Sequence, residues 1–195
     1  SLLIMESGTM TTPTLRTSAI AGTHRGEFRM TGGTINITGN TNIEAYASMT
    51  LPYVDNVFRM SGGVINILYP NSTGFAPGNN FSILLGMNPS NGLVTGGTIN
   101  VTVPATRYSY INSTIPFWNL NITSTSAAQR AQVRSYAGNG SPVIPAIAAR
   151  PIVVLNDFSI QNNAYFDATN PAPDVNVTVN RNFTIETSAT YLPGN

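Results

Sequence analysis

A short segment returns along this chain with its chemistry intact, and that repetition constrains the fold more than any other feature. Phe28-Arg29-Met30-Thr31-Gly32-Gly33-Thr34-Ile35-Asn36-Ile37 recurs as Phe58-Arg59-Met60-Ser61-Gly62-Gly63-Val64-Ile65-Asn66-Ile67. Val94-Thr95-Gly96-Gly97-Thr98-Ile99-Asn100-Val101 is a further copy, and Met5-Glu6-Ser7-Gly8-Thr9-Met10 a degraded first one. Aligned on Gly8, Gly33, Gly63 and Gly97, successive copies stand 25, 30 and 34 residues apart. A fixed core with variable spacing is what the coils of a solenoid with loops of different length produce.

The aligned columns are consistent. Leu3, Phe28 and Phe58 share one column, and Met5, Met30, Met60 and Val94 the next. After the glycines, Met10, Ile35, Ile65 and Ile99 form a column, followed by Thr12, Ile37, Ile67 and Val101. On each side of the glycines the apolar residues are two apart, which is strand and not helix periodicity. Their parity switches across the glycines, as expected of a corner between two short strands. The expected fold is therefore all-β: a right-handed parallel β-helix with coils of about 25–34 residues, running over 1–195.

A second motif occupies the other half: Asn119-Leu120-Asn121-Ile122, then Asn156-Asp157-Phe158-Ser159-Ile160, then Asn182-Phe183-Thr184-Ile185. Ala164-Tyr165-Phe166 and Ala189-Thr190-Tyr191 follow the last two, again 25 residues apart. The stretch from about 124 to 151 fits neither motif and is expected to be an insertion or an irregular coil; Ala127–Arg134 within it has the makings of a short helix. A single coil buries too few apolar side chains to offset the entropy of ordering it, so coils must stack. The chain starts and stops in mid-pattern, and both ends are expected to be cuts in a longer protein.

Composition narrows the function. Only 9% of the residues are charged, against roughly 25% in an average soluble domain. The nine basic residues are all arginine and form no run, so nothing resembles the phosphate-neutralising stripe of a nucleic-acid binder. The absence of lysine removes Schiff-base chemistry and a P-loop, and the absence of cysteine removes disulfides and thiolate metal cages. No apolar run is long enough for a membrane helix.

At Phe58–Ile67, at Ile115-Pro116-Phe117-Trp118-Asn119-Leu120-Asn121-Ile122-Thr123, and at Val154–Ile160 with Ala189–Asn195, the chain resembles the repeat-rich surface proteins that Bacteroidetes export by the type IX secretion route. The resemblance covers most of the chain outside 124–151. It implies a secreted or cell-surface location, membership of a very long polypeptide, and the role of a scaffold, adhesin or gliding-associated protein. The partners it suggests are neighbouring coils of the same chain, export machinery or another surface protein, and glycans. No catalytic residue comes with it.

The rival class is the carbohydrate-cleaving enzyme, which needs carboxylates converging on one face. The acids are Glu6, Glu27, Glu44, Asp55, Asp157, Asp167, Asp174 and Glu186, and no column repeats one in adjacent coils. Asp157 and Asp167 are the nearest to a pair, and turn capping accounts for both. His24, the one histidine, lies among Gly and Thr with no evident partner. Calcium-binding glycine repeats carry an Asp in each turn, whereas Thr34, Val64 and Thr98 follow the glycines here. Neither catalytic residue nor cofactor nor metal is therefore expected.

Thr34, Asn36, Asn66, Thr98 and Asn100 form the candidate ligand face. The asparagines of this column are expected to stack outward as an amide ladder; the alternatives are an ice-like lattice match, spoiled by Val64 and Leu68, and glycan contact. Asn-x-Ser/Thr triplets at Asn36, Asn71, Asn80, Asn100, Asn112, Asn121, Asn139, Asn176 and Asn182 are read as products of strand alternation and not as glycosylation sites. Tyr108, Tyr110, Phe117 and Trp118 offer aromatic surface for a sugar, but burial at a coil interface or beneath 124–151 is the preferred reading.

Overall fold

The computed structural model describes residues 1–17, 26–39, 47–70, 81–126, 129–135, 139–140, 143–144, 146–169 and 175–194, with backbone alone at 139–140 and 143–144. Strands of successive coils lie side by side in parallel. One sheet of nine strands contains Leu2–Met5, Thr9–Thr12, Glu27–Met30, Thr34–Ile37, Val57–Ile67, Gly92–Val103, Asn119–Ser124, Asp157–Gln161 and Asn182–Ile185. A second sheet of seven strands contains Leu15–Arg16, Met49–Leu51, Phe81–Leu85, Ser109–Ser113, Arg130–Val133, Tyr165–Asp167 and Thr190–Leu192. A third side is formed by Ile152–Val154 beside Val177–Val179, with Phe117 bridging to Val154. The chain is a parallel β-helix of seven coils, one for each strand of the second sheet.

The sequence columns are the register. Met10, Ile35, Ile65, Ile99, Leu120, Phe158 and Phe183 pair successively across the first sheet. The second motif is therefore the same column as the strand after the glycines, continued without a glycine corner. Ile35, Ile37, Ile65, Ile67, Leu120, Ile122, Phe158 and Ile160 are fully buried in one continuous core with Ile83, Ile111, Val133 and Phe166 of the second sheet. Burying each such side chain is worth about 1.5–3 kcal/mol. Phe28 stacks on Phe58 with centroids 5.0 Å apart, and Phe158 on Phe183 at 5.2 Å.

The glycine corner is a kink within a strand: Val57–Ile67 runs through Gly62-Gly63 without a break. Gly63 has φ +82°, and a Cβ there would lie 2.5 Å from Met30 Cε and 2.9 Å from the Gly32 carbonyl. The preceding glycine faces a different obstacle, since a Cβ on Gly62 would collide with the Thr31 carbonyl of the coil below. The column of methionines is thus explained: each thioether end tucks beneath the glycine of the next coil, where its flexibility fills an irregular gap.

Three expectations need correction. Coil length has a wider range than 25–34 residues: the step from Thr98 to Asn119 is 21 and that from Asn119 to Asp157 is 38. The first-sheet register survives both steps because loops outside the strands absorb the difference. The segment at 124–151 is less irregular than expected: Arg130–Val133 is a strand of the second sheet, paired with Ser109–Ile111 and Tyr165–Asp167, and not a helix. Its inward Ala131 and Val133 belong to the core, and strand pairing on both sides overrides the local helical propensity. The true excursion follows it, with Asn139–Gly140 antiparallel to Val143–Ile144 and Ile147 returning to a small outer cluster with Ala47, Phe81, Leu84 and Tyr110.

Candidate functional site: the polar ladder face

Outward residues of the first sheet after the glycine corner alternate with the buried isoleucines, so strand pleating alone lines them up on one face. Asn66 Nδ2 donates to Asn36 Oδ1 at 2.8 Å, Asn100 Nδ2 to Asn66 Oδ1 at 2.7 Å, and Asn121 Nδ2 to Asn100 Oδ1 at 2.8 Å. The expected ladder is present and is one rung longer than the repeat showed. Asn121 was placed in the second motif, and only the pairing of Asn121 with Asn100 joins the two.

A parallel row stands beside it. Thr34, Val64, Thr98 and Asn119 pair in register, and Asn119 Nδ2 donates to Thr98 Oγ1 at 3.2 Å. Asn156 Nδ2 donates to Asn119 Oδ1 at 2.7 Å, Asn182 Nδ2 to Asp157 Oδ1 at 2.8 Å, and Arg181 Nη1 to Asn156 Oδ1 at 3.1 Å. The five candidate residues Thr34, Asn36, Asn66, Thr98 and Asn100 therefore share one half-buried face. Val64 does interrupt the threonine row, and Leu68, 45% exposed, interrupts the row beyond it.

The two carboxylates nearest to a catalytic pair are not brought together. Asp157 belongs to the first sheet, and its oxygens accept from Asn182 and Asn156. Asp167 belongs to the second sheet and is buried; its Oδ2 accepts from Gln132 Nε2 at 2.9 Å and Arg130 Nη1 at 3.2 Å, and its Oδ1 from the Thr169 hydroxyl and backbone N–H. Burial pushes its pKa up, yet the bonds from Thr169, Gln132 and Arg130 together hold it below the ordinary carboxylate value. Among the described residues no three His, Asp or Glu side chains gather as a metal site would require. His24, Glu44, Asp174, Asn71 and Asn80 lie outside the described residues.

Phe117 and Tyr110 are buried, Trp118 packs on the core, and Tyr108 alone of that group is exposed, at 36%. Of the Asn-x-Ser/Thr triplets, Asn112 is buried, its amide donating to the Arg134, Ile147 and Ala148 carbonyls, so no glycan can sit there. Asn36, Asn100 and Asn121 are committed to the ladder. Comparison with known protein families, with curated proteins and with solved structures finds no match.

Proposed function

We propose that this chain is a non-catalytic section of an extracellular β-helix that serves as a surface scaffold or adhesin and travels as type IX secretion cargo. The observation that carries the reading is how the acidic groups are spent. Both oxygens of Asp157 and of Asp167 accept from side chains or backbone of the helix itself, on two different sheets. A hydrolase needs a carboxylate free to take or give a proton beside a second one on the same face. The outer polar face is likewise consumed by bonds along the axis, which suits a stiff rod. A panel of polysaccharides incubated with the protein tests the catalytic side: no reducing ends are expected, and turnover lost in Asp157→Asn or Asp167→Asn would overturn the reading. Protease shaving of intact producing cells tests location: release of fragments of this chain is expected, and full protection until lysis refutes a surface role.

A further inference from the structure

Before the glycine corner the outer face of the first sheet is different in kind. Ile4, Arg29, Arg59 and Leu93 pair successively in one outward column. Two arginines on directly paired residues repel one another, an arrangement that costs stability in a sheet. Glu27 offsets it in part: its Oε1 lies 2.7 Å from Arg29 Nε and 3.9 Å from Arg59 Nε. Neither guanidinium has another partner among the described residues, so the Nη groups of both point outward unpaired from side chains about half exposed. Two cations and one carboxylate leave a residual positive charge. Beside them lies a shallow hollow of about 210 Å³, with Thr31, Ser61 and Thr95 supplying hydroxyls and Leu93, 54% exposed, an apolar wall.

We propose that Arg29 and Arg59 clamp the acidic group of an anionic polysaccharide, a uronate carboxylate or a sulfate ester, whose sugar ring rests in this hollow. Guanidinium forks match such oxyanions in geometry and form charge-assisted hydrogen bonds. The strand spacing of about 4.8 Å sets the two forks side by side, close enough for both to reach one group. The hydroxyls of Thr31, Ser61 and Thr95 suit ring hydroxyls, and Leu93 suits the C–H face of a pyranose. Docking an anion also relieves the repulsion that Glu27 leaves uncompensated. Glu6, in register with the Thr31 side of the hollow, closes that end to anions and directs the chain toward Arg59 and Leu93. This site goes beyond the scaffold reading: its loss would leave a rod without a ligand, not an enzyme.

The test uses the whole chain with polygalacturonate, dextran sulfate and neutral dextran immobilised as separate surfaces, at low salt. Binding to one or both acidic polymers and not to dextran is expected, and which of the two binds identifies the acidic group. Arg29→Gln/Arg59→Gln should weaken binding about tenfold or more, while Arg150→Gln/Arg181→Gln, which removes the same charge elsewhere, should leave it unchanged. Arg59→Lys, which keeps the charge and loses the fork, should fall between. A circular dichroism spectrum like the wild type's confirms that each variant is folded. No binding to either acidic polymer, equal loss in both double variants, or equal affinity for dextran would overturn the proposal. Polyglutamate bound as tightly as polygalacturonate would overturn the assignment to a saccharide.

Discussion

Replacing ladder asparagines by alanine tests whether the amides are joined as a chain or merely adjacent. Asn66 takes part in two ladder bonds and Asn36 in one. A net hydrogen bond contributes about 0.5–1.5 kcal/mol, and these are half-exposed, so water can replace part of what is lost. Asn66→Ala should therefore cost about 1–2 kcal/mol and Asn36→Ala about half of that. Alanine and asparagine are both poor strand formers, so propensity adds little to the difference. The sharper outcome is in the double variant. Asn66→Ala and Asn100→Ala each break two bonds, but they share one, so together they break three. The double variant should be less destabilised than the sum of the singles by the worth of one bond, about 0.5–1 kcal/mol. Urea unfolding of the four proteins, compared at constant slope, measures this. Equal costs at Asn36 and Asn66, with strict additivity in the pair, would show that the ladder holds nothing.

Gly63→Ala forces a side chain into a left-handed residue against the Gly32 carbonyl and should lower stability by about 2–4 kcal/mol; shortening Met30 to alanine in the same chain should not restore it, because the backbone contact remains, and a full rescue in thermal unfolding would contradict this. The Asp167 carboxyl has a lowered pKa in the folded state, so its contribution is complete above the ordinary aspartate value and is lost as pH falls through the folded one. An acid titration of stability should accordingly be flatter in Asp167→Asn than in the wild type, and identical slopes would refute the role given to Arg130, Gln132 and Thr169. In the last coil Phe183 and Ile185 are 41% and 44% exposed, whereas Phe158 and Ile160, their partners one coil below, are fully buried. The isolated chain should associate through this open edge, and Phe183→Ser/Ile185→Ser should weaken the association seen in sedimentation; a wild-type chain that stays monomeric at high concentration would show that the edge needs no cover.

The first four coils were legible because the glycine corner prints itself on the sequence. Gly33, Gly63 and Gly97 must be glycine for backbone reasons, and the buried columns on either side must be apolar. The later coils reach the same register by different local means, and Leu120 or Phe158 standing in for isoleucine hides the continuity. The strand Arg130–Val133 was illegible because its segment is rich in helix-favouring alanine, glutamine and arginine, while its partners Ser109–Ile111 and Tyr165–Asp167 lie far away in sequence. The polar ladder was visible as a column of asparagines, but its extension to Asn119, Asn121 and Asn156 depended on coil lengths of 21 and 37 residues that no periodic count supplies. The arginine pair was visible in the repeat itself, at the same position of two copies; its isolation from other acids emerged only with the folded surface.

Every amide on the ladder face donates in the same direction, from a later coil to an earlier one: Asn66 to Asn36, Asn100 to Asn66, Asn121 to Asn100, Asn119 to Thr98 and Asn156 to Asn119. Their dipoles therefore add along the axis, positive toward the first coil and negative toward the last, and each bond polarises the next. Arg181 sits at the negative end, its guanidinium on the Asn156 oxygen, much as a basic side chain sits at the carboxyl end of a helix. The rod consequently has an electrical sense as well as a chain sense. Two such rods meeting end to end continue the amide series only when both point the same way, so the polar face favours unidirectional stacking and opposes back-to-back pairs.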